Sequence, residues 1–320
     1  MTNSSLAQIC KQLNSTENIA VFCHARPDGG ALGAGLSLML ALQNAGKKVV
    51  MCCEDTPSEK FTFLPETALV KNQLPAEIIF DTFISVDCAD VFRLGSFTGA
   101  FQNFKGKTVN IDHHFSNKRF AELNYVIDCP ATCELLYEIL EFAGFEISNE
   151  IANLLMLGLI CDSGNFSHND VTEKTFAVAA KLRSYGADVN LINYNVFSKQ
   201  TKFRALLFGK IMSGMRFALD DRLAFIVIPS EELKSVEDKN ITEGFVDFPL
   251  TVDGVEVSVS MLEVKKRQYK ISLRSKGKVN VNAVAAAFGG GGHILASGCM
   301  LSGDKEEVID KITYAVYQNL

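Results

Sequence analysis

The sequence lacks the features that mark several broad classes of protein. It has no excess of positive charge, because 31 Lys and Arg residues are outnumbered by 37 Asp and Glu residues and the net charge is −6. A basic surface that holds long duplex nucleic acid needs many cationic contacts to phosphate, so we exclude that partner, whereas a short anionic substrate in a local pocket is compatible with the charge.

No apolar run approaches the roughly 20 residues of a membrane span, and the N-terminus lacks the basic stretch and apolar core of a signal peptide. We therefore expect no membrane association and a cytoplasmic location.

Paired cysteine ligands are also missing. The nine cysteines include no Cys-x-x-Cys pair, which argues against a cysteine-based zinc site. Their spacing, with Cys52 and Cys53 adjacent, is typical of reduced thiols that serve as small apolar residues in a cytosolic protein.

The chain is long and rich in apolar residues. Its 320 residues, 48% of them hydrophobic, are enough for two domains with a core each.

The first half alternates strand-like and helix-like segments, which predicts a parallel sheet. Strands are predicted at residues 19–23, 48–52, 82–86 and 108–111, and helices at about 31–45, 130–143, 150–159 and 171–185. We expect Asp170 to cap the last of these helices, with Glu173 completing a capping box and Gly186 just beyond the helix end.

The second half has a different pattern and predicts a smaller domain. Strands are predicted at residues 222–228, 255–261 and 269–273, and helices near 281–287 and 305–318. The segment between the halves is helix-compatible and basic. The predicted fold class is therefore α/β, with an N-terminal parallel-sheet domain (1–189), a helical connector (190–214) and a C-terminal α/β domain (215–320).

Acidic and imidazole side chains collect where the predicted strands of the first half end. His24 and Asp28 follow the first strand, Asp87 follows the third, and Asp112-His113-His114 follow the fourth. The carboxyl ends of parallel strands share one edge of a sheet, where ligands bind, so we expect one site. Asp162 follows an apolar helix in a Ser-Gly turn that could bring it to the same edge.

Mixed carboxylate and imidazole ligands suit a divalent ion such as Mn²⁺, with Mg²⁺ less favoured. Two such ions about 3.5–4 Å apart can activate a bridging water and clamp the oxygens of a phosphoryl group. The pattern therefore predicts phosphoester hydrolysis. Any one of these residues, taken singly, is more often a helix cap or a turn residue, so the prediction depends on the joint pattern.

A second candidate site lies in the second half, at Phe288-Gly-Gly-Gly-Gly-His293. The glycine backbone, including Gly290, Gly291 and Gly292, can offer N–H groups to an anion, and His293 adds a donor. Arg274 ends an upstream strand and can bind a phosphate or carboxylate oxygen. The alternatives are a mobile glycine turn and an arginine that solvates a strand end.

Taken together, these motifs resemble the DHH phosphoesterase superfamily, in the branch with the DHH-associated C-terminal domain. The order and spacing match over nearly the whole chain. Within that branch the length and the Gly-Gly-Gly-Gly-His segment are most similar to the bifunctional oligoribonuclease and PAP phosphatase enzymes. Those enzymes trim very short RNA to mononucleotides and remove the 3′-phosphate of 3′-phosphoadenosine 5′-phosphate (PAP).

The resemblance implies a catalytic metal-binding domain followed by a substrate-binding domain. The implied metal ligands, with Asp87 bridging two Mn²⁺ ions, are His24, Asp28, Asp87, His113 and Asp162. The implied catalytic residues are His114, which faces the phosphate, and Asp112, which orients the neighbouring imidazole. The implied substrate-binding residues are Arg274, Gly290, Gly291, Gly292 and His293. The implied partner is a short single-stranded RNA or a nucleotide bisphosphate. The oligomeric state is left open, a homodimer included.

One departure from the family pattern matters. The first motif of the superfamily reads His-x-x-Pro-Asp-x-Asp-Ala, but here Gly30 stands where the second Asp is expected, and Ala34 replaces the usual Ser. Losing a carboxylate ligand should weaken the second ion. We therefore hold two hypotheses, an active phosphoesterase and a degenerate homologue that binds a nucleotide with weak or no hydrolysis. The intact remainder of the motif favours the enzyme.

Overall fold

Five short apolar strands form the parallel sheet that the sequence predicts. In the computed structural model, which describes residues 2–234 and 241–320, they are β1 (Asn18–Phe22), β2 (Lys48–Cys52), β3 (Thr82–Val86), β4 (Lys107–Asp112) and β5 (Leu123–Val126). Their order is β2-β1-β3-β4-β5, and every neighbouring pair is parallel. The α/β prediction is confirmed, and β5 is the one strand of this sheet that the sequence pattern does not predict.

The described residues of the same unit, Met1–Lys199, include seven α-helices. They are α1 (Leu6–Ser15), α2 (Gly29–Asn44), α3 (Thr98–Asn103), α4 (Thr132–Ala143), α5 (Asn149–Asp162), α6 (Glu173–Ser184) and α7 (Val189–Asn193). The helices α2 and α5 are buried along most of their length because they pack directly on each other. A Cβ atom at Gly33 would lie 2.4 Å from the carbonyl oxygen of Leu154. Only glycine permits this backbone approach, which sets the first half of α2 against the middle of α5.

The predicted cap of α6 is wrong. Thr172, rather than Asp170, precedes the helix, and its capping box is completed by Thr175. Glu173 is instead the first residue of the helix, where a carboxylate is favourable beside the exposed N–H groups. The cap is therefore two positions later in the chain than predicted, and Asp170 is exposed. Gly186 lies one residue beyond the C-cap with φ of 98°, so the predicted helix end is confirmed.

The second unit, Gln200–Leu320, contains a mixed six-stranded sheet. Its strands are β6 (Arg216–Ala218), β7 (Leu223–Ile228), β8 (Val257–Lys265), β9 (Gln268–Ser275), β10 (Gly291–Gly292) and β11 (Ala296–Ser302), in the order β10-β11-β9-β8-β7-β6. The helices α8 (Lys202–Ser213), α9 (Val281–Ala286) and α10 (Lys305–Tyr317) complete the unit. Strands β7 and β8 are parallel and the other pairs antiparallel. The two units divide within the predicted connector, so α7 belongs to the first and α8 to the second.

No helix in the described part of the chain combines the length and the apolarity needed to cross a membrane.

Candidate metal centre

The carboxyl ends of β1, β3 and β4 bring the predicted ligands of the first unit to one edge of the sheet. His24 follows β1 by two residues, Asp87 follows β3 directly, and Asp112 is the last residue of β4. These three strands are neighbours in the sheet. Two clusters result, and in both the ligand atoms lie within 4.8 Å of one another. Asp87 belongs to both clusters, so the predicted residues form one site around it.

The first cluster consists of His24, Asp28 and Asp87. His24 Nε2 lies 3.6 Å from Asp28 Oδ2 and 3.9 Å from Asp87 Oδ2. The other ring nitrogen, Nδ1, lies 2.9 Å from the carbonyl oxygen of Ala25, which fixes the ring. Asp28 has a second task, because its Oδ1 accepts a hydrogen bond from Ala31 N at the start of α2. One carboxylate oxygen thus caps the helix while the other faces the histidine.

The second cluster consists of Asp87, His113 and His114. His113 Nε2 lies 3.6 Å from Asp87 Oδ1, and its Nδ1 lies 2.9 Å from the carbonyl oxygen of Cys129. A backbone carbonyl on one ring nitrogen leaves the opposite nitrogen as the electron-pair donor, the usual arrangement for a histidine that binds a metal. The two carboxylate oxygens of Asp87 therefore face two different histidines.

Asp112 is fully buried and holds the ring of His114. Its Oδ1 accepts a hydrogen bond from His114 Nδ1 at 2.7 Å, and its Oδ2 accepts one from Asn117 Nδ2 at 2.6 Å. The bond to Asp112 raises the pKa of His114 above its ordinary value, despite the opposing effect of burial. The hydrogen bond between Asp112 and His114 is the contact that Asp112 needs for its predicted role of orienting an imidazole ring. His114 Nε2 is left as the ring nitrogen outside that bond.

Asp162 lies at the same place but in an unexpected setting. It is the last residue of α5 rather than part of the following turn, which corrects the sequence prediction of its position. Its carboxylate fills the space that a Cβ atom at Gly30 would occupy, since such an atom would lie 2.3 Å from Asp162 Oδ1. Its Oδ2 is buried without a hydrogen-bond partner. In the described residues Asp162 is outside both clusters.

The electrostatics of the site favour a bound cation. Burial, and then repulsion by Asp87 and Asp28, raise the pKa of Asp162 well above its ordinary value. Burial also raises the pKa of Asp87, although the charge of His113 opposes it. Burial is also the largest influence on Asp28, but the hydrogen bonds from His24 and Ala31 N and the nearby positive charges together outweigh it, so the pKa of Asp28 is lowered. An unpartnered carboxylate oxygen among two further carboxylates and two imidazoles fits a divalent ion with oxygen and nitrogen ligands.

Sequence reasoning missed two residues of this site. Thr132 Oγ1 donates a hydrogen bond to Asp87 Oδ1 at 2.7 Å, and Asn117 connects Asp112 to the carbonyl oxygen of Cys88. Asn117 stands three residues after His114, and this spacing is a usable signal. Thr132 carries no such signal, because it starts a helix 45 positions away from its partner.

The candidate substrate residues of the second unit are grouped by the sheet. Arg274 in β9 pairs with Ala296 in β11, directly after the turn that contains His293. The Arg274 guanidinium already has partners, since Nε lies 3.1 Å from Asp247 Oδ1 and a terminal nitrogen 3.0 Å from the carbonyl oxygen of Leu273. An incoming phosphate would have to compete with Asp247. The His293 side chain is exposed.

The glycine run forms a hairpin rather than an open anion-binding loop. Gly291 and Gly292 form β10 and pair with β11, while Gly290 N donates to the carbonyl oxygen of Ala285 and His293 N to that of Ala296. The sheet and the end of α9 therefore use several of the glycine N–H groups that the sequence predicts to face an anion. Glycine is required for packing, since a Cβ atom at Gly290 would lie 2.2 Å from the carbonyl oxygen of Gly298. Whether these glycines bind substrate stays a prediction.

Comparison with known proteins gives consistent results for both units. Residues 18–159 match the DHH family, N-terminal domain, and residues 224–319 match the DHHA1 domain. The chain is 30% identical to the bifunctional oligoribonuclease and PAP phosphatase NrnA of Thermus thermophilus over 320 residues, which cover 98% of this chain and 93% of that protein. It is 25% identical to the protein of the same name from Mycoplasma pneumoniae, with 94% and 93% covered. The crystal structure of an exopolyphosphatase-related protein from Bacteroides fragilis has a TM-score of 0.85 at 26% identity, with 98% of this chain and 95% of that chain covered.

Proposed function

The chain belongs to the DHH family, and we propose that it is a divalent-metal-dependent phosphoesterase. Its substrates in this proposal are short oligoribonucleotides, which it hydrolyses to mononucleotides, and PAP, from which it removes the 3′-phosphate. The observation that carries the proposal is the placement of Asp87, whose two carboxylate oxygens face two histidines in two ligand clusters. The names of the relatives that span the chain, at 30% and 25% identity, support the substrate class.

The residues of the first unit divide the work between binding and orientation. His24, Asp28 and Asp87 would hold one divalent ion, and Asp87, His113 and a repositioned Asp162 would hold another. When bound, two such ions supply an activated water and neutralise charge on the phosphoryl oxygens. Because Asp112 raises the pKa of His114, the imidazole holds its proton more firmly and is suited to donate a hydrogen bond to a phosphate oxygen.

The residues of the second unit are suited to bind a terminal phosphate of a short substrate. Arg274 can exchange its hydrogen bond with Asp247 for one with a terminal phosphate, and the exposed His293 lies on the neighbouring turn.

Mn²⁺ is the ion that the mixed imidazole and carboxylate ligands of the first unit favour, with Mg²⁺ as the weaker alternative.

His113→Ala is expected to lower hydrolysis of both substrates by about a hundredfold, since it removes one histidine that faces the shared carboxylate. The purified chain is assayed with di- and trinucleotides and with PAP, in Mn²⁺, in Mg²⁺ and with a chelator. Melting curves in the chelator show whether the variant folds. Turnover that is unchanged in a folded His113→Ala variant, or equal in Mn²⁺ and in chelator, would contradict the proposed function.

Gly30→Asp distinguishes the active enzyme from the degenerate homologue. The new Cβ atom would meet the Asp162 carboxylate at 2.3 Å, so that carboxylate must leave its present position. We expect the variant to lose about 1–3 kcal/mol of stability in chelator through crowding, and to bind Mn²⁺ more tightly than the wild type because it gains a carboxylate.

Gly30→Asn is the matched control for this substitution. It has the same shape without the charge, so it should show the loss of stability without the gain in Mn²⁺ affinity. The active-enzyme proposal requires wild-type turnover in Mn²⁺. Activity in Gly30→Asp alone would establish the degenerate alternative.

A further inference from the structure

Asp87 has a backbone conformation that is uncommon for a residue with a side chain. Its φ is 54°, in the left-handed region, and the residue is buried at the end of β3. Such a conformation is unfavourable and persists where neighbouring contacts determine it. One of these contacts is a backbone hydrogen bond at the edge of the sheet, which Asp87 N donates to the carbonyl oxygen of Ile111 at 3.0 Å. The backbone therefore sets where the side chain starts, but leaves the rotation of the carboxylate unfixed.

Thr132 supplies the contact that fixes this rotation. It is the first residue of α4 and is fully buried, and its Oγ1 donates a hydrogen bond to Asp87 Oδ1 at 2.7 Å. Asp87 Oδ1 also lies 3.6 Å from His113 Nε2, and Asp87 Oδ2 lies 3.9 Å from His24 Nε2. A carboxylate rotated away from Thr132 would no longer direct one oxygen to each histidine.

The hydrogen bond from Thr132, at the start of α4, partly offsets the cost of burying the Asp87 charge. The helix has no side-chain hydrogen bond at its N-cap, Ala131. An anion beside the first turn of a helix is stabilised by the unpaired N–H groups and by the helix dipole. The hydroxyl of Thr132 points from that turn to the carboxylate, so this bond connects the helix to the metal centre.

We propose that Thr132 is a positioning residue of the metal centre, which holds the Asp87 carboxylate in the orientation that binds ions on both sides. The proposal rests on the metal site of the proposed function, but not on any particular substrate. It differs from a purely structural role in one respect, since the loss of the hydroxyl should weaken ion binding even where the fold is retained.

The chain contains a matched control for a buried threonine bound to a carboxylate. Thr175 is also fully buried, and its Oγ1 donates to Glu134 Oε2 at 2.9 Å. Glu134 lies in α4, like Thr132, but neither Thr175 nor Glu134 belongs to the two ligand clusters. Removing this second hydroxyl should therefore disturb the same helix without changing the ligands.

The test is Mn²⁺ binding to the purified full chain, measured by titration calorimetry and independent of hydrolysis. Thr132→Val removes the hydroxyl at nearly constant shape and is expected to raise the Kd for Mn²⁺ about tenfold. Thr132→Ser retains the hydroxyl and should stay within about threefold of wild type. Thr175→Val should lower the Tm and leave the Kd unchanged.

Three results would overturn the proposal. They are wild-type Mn²⁺ affinity in folded Thr132→Val, equal weakening in the Val and Ser variants, and equal weakening in Thr175→Val, which would show a general loosening of α4. If Thr132→Val does not fold, the smaller Thr132→Ala takes its place with the same expected result. A wild-type chain that binds no Mn²⁺ would instead contradict the proposed function itself, so the two failures are distinguishable.

Discussion

Replacing Asp87 by alanine is expected to remove tight Mn²⁺ binding and to lower hydrolysis by about a thousandfold or more, the largest loss of any single substitution in the site. The reason is geometric, because Asp87 is the only residue that both ligand clusters of the described structure share. Its two oxygens face His24 and His113, so its removal affects both ions. The measurement combines Mn²⁺ titration with turnover of a dinucleotide and of PAP.

The loss is not expected to come from unfolding. Burial raises the pKa of Asp87, so the folded chain does not gain stability from its charge at neutral pH. Asp188→Ala is a suitable control, since Asp188 caps α7 through a hydrogen bond from Leu191 N and lies outside both clusters. That variant should lose about 1 kcal/mol of stability and retain its Mn²⁺ affinity. A folded Asp87→Ala variant with wild-type turnover would remove the basis for a shared bridging ligand.

The sequence predicts the placement of His24, Asp87 and His113 because one rule of topology is sufficient. Each residue follows an apolar strand, and parallel strands that neighbour one another end at a common edge. The strand bounds at 48–52 and 82–86 agree with β2 and β3 to the residue. No knowledge of side-chain packing is needed for this part of the site.

The relation between Gly30 and Asp162 could not be predicted in the same way. It depends on how closely α2 and α5 approach, and that distance is set at Gly33 by a contact with the backbone of Leu154. From the sequence, Gly30 appears only as a missing carboxylate. In the structure it is also the space that receives the carboxylate of Asp162. A substitution at residue 30 therefore changes sterics and charge together.

The glycine run shows the opposite difficulty, because one pattern fits two structures. Four consecutive glycines are equally compatible with an open anion-binding loop and with a tight hairpin. The pairing of Gly291 with Gly298 in β11 decides for the hairpin. The sequence pattern does not predict β11, since its first residues are Ala, Ser and Gly, which have little preference for strands.

Asp162→Asn is expected to stabilise the chain at neutral pH in chelator while it weakens Mn²⁺ binding. The pKa of Asp162 is raised well above its ordinary value of 3.8 by burial and by neighbouring carboxylates, and its Oδ2 has no partner. Each unit of such a rise corresponds to about 1.4 kcal/mol against folding when the pH lies above the raised pKa. Asparagine has the same shape and no charge, so it avoids this unfavourable contribution.

The pH dependence gives this prediction a sign that can be checked. The folded chain binds the Asp162 proton more tightly than the unfolded chain does, so the stability of the wild type falls as the pH rises from 3.8 through the raised pKa. The stability difference between Asp162→Asn and wild type should therefore vanish as the pH approaches 4 and should grow as the pH rises towards the raised pKa. Other carboxylates titrate in this range, and comparing the two proteins at each pH cancels the contribution of those that do not interact with Asp162. Saturating Mn²⁺ should reverse the order, because only the wild type offers the ion the additional carboxylate, and tighter binding adds more stability. Equal stability of the two proteins at every pH in chelator would show that Asp162 carries no such strain, and an unchanged response to Mn²⁺ would show that it is not a ligand.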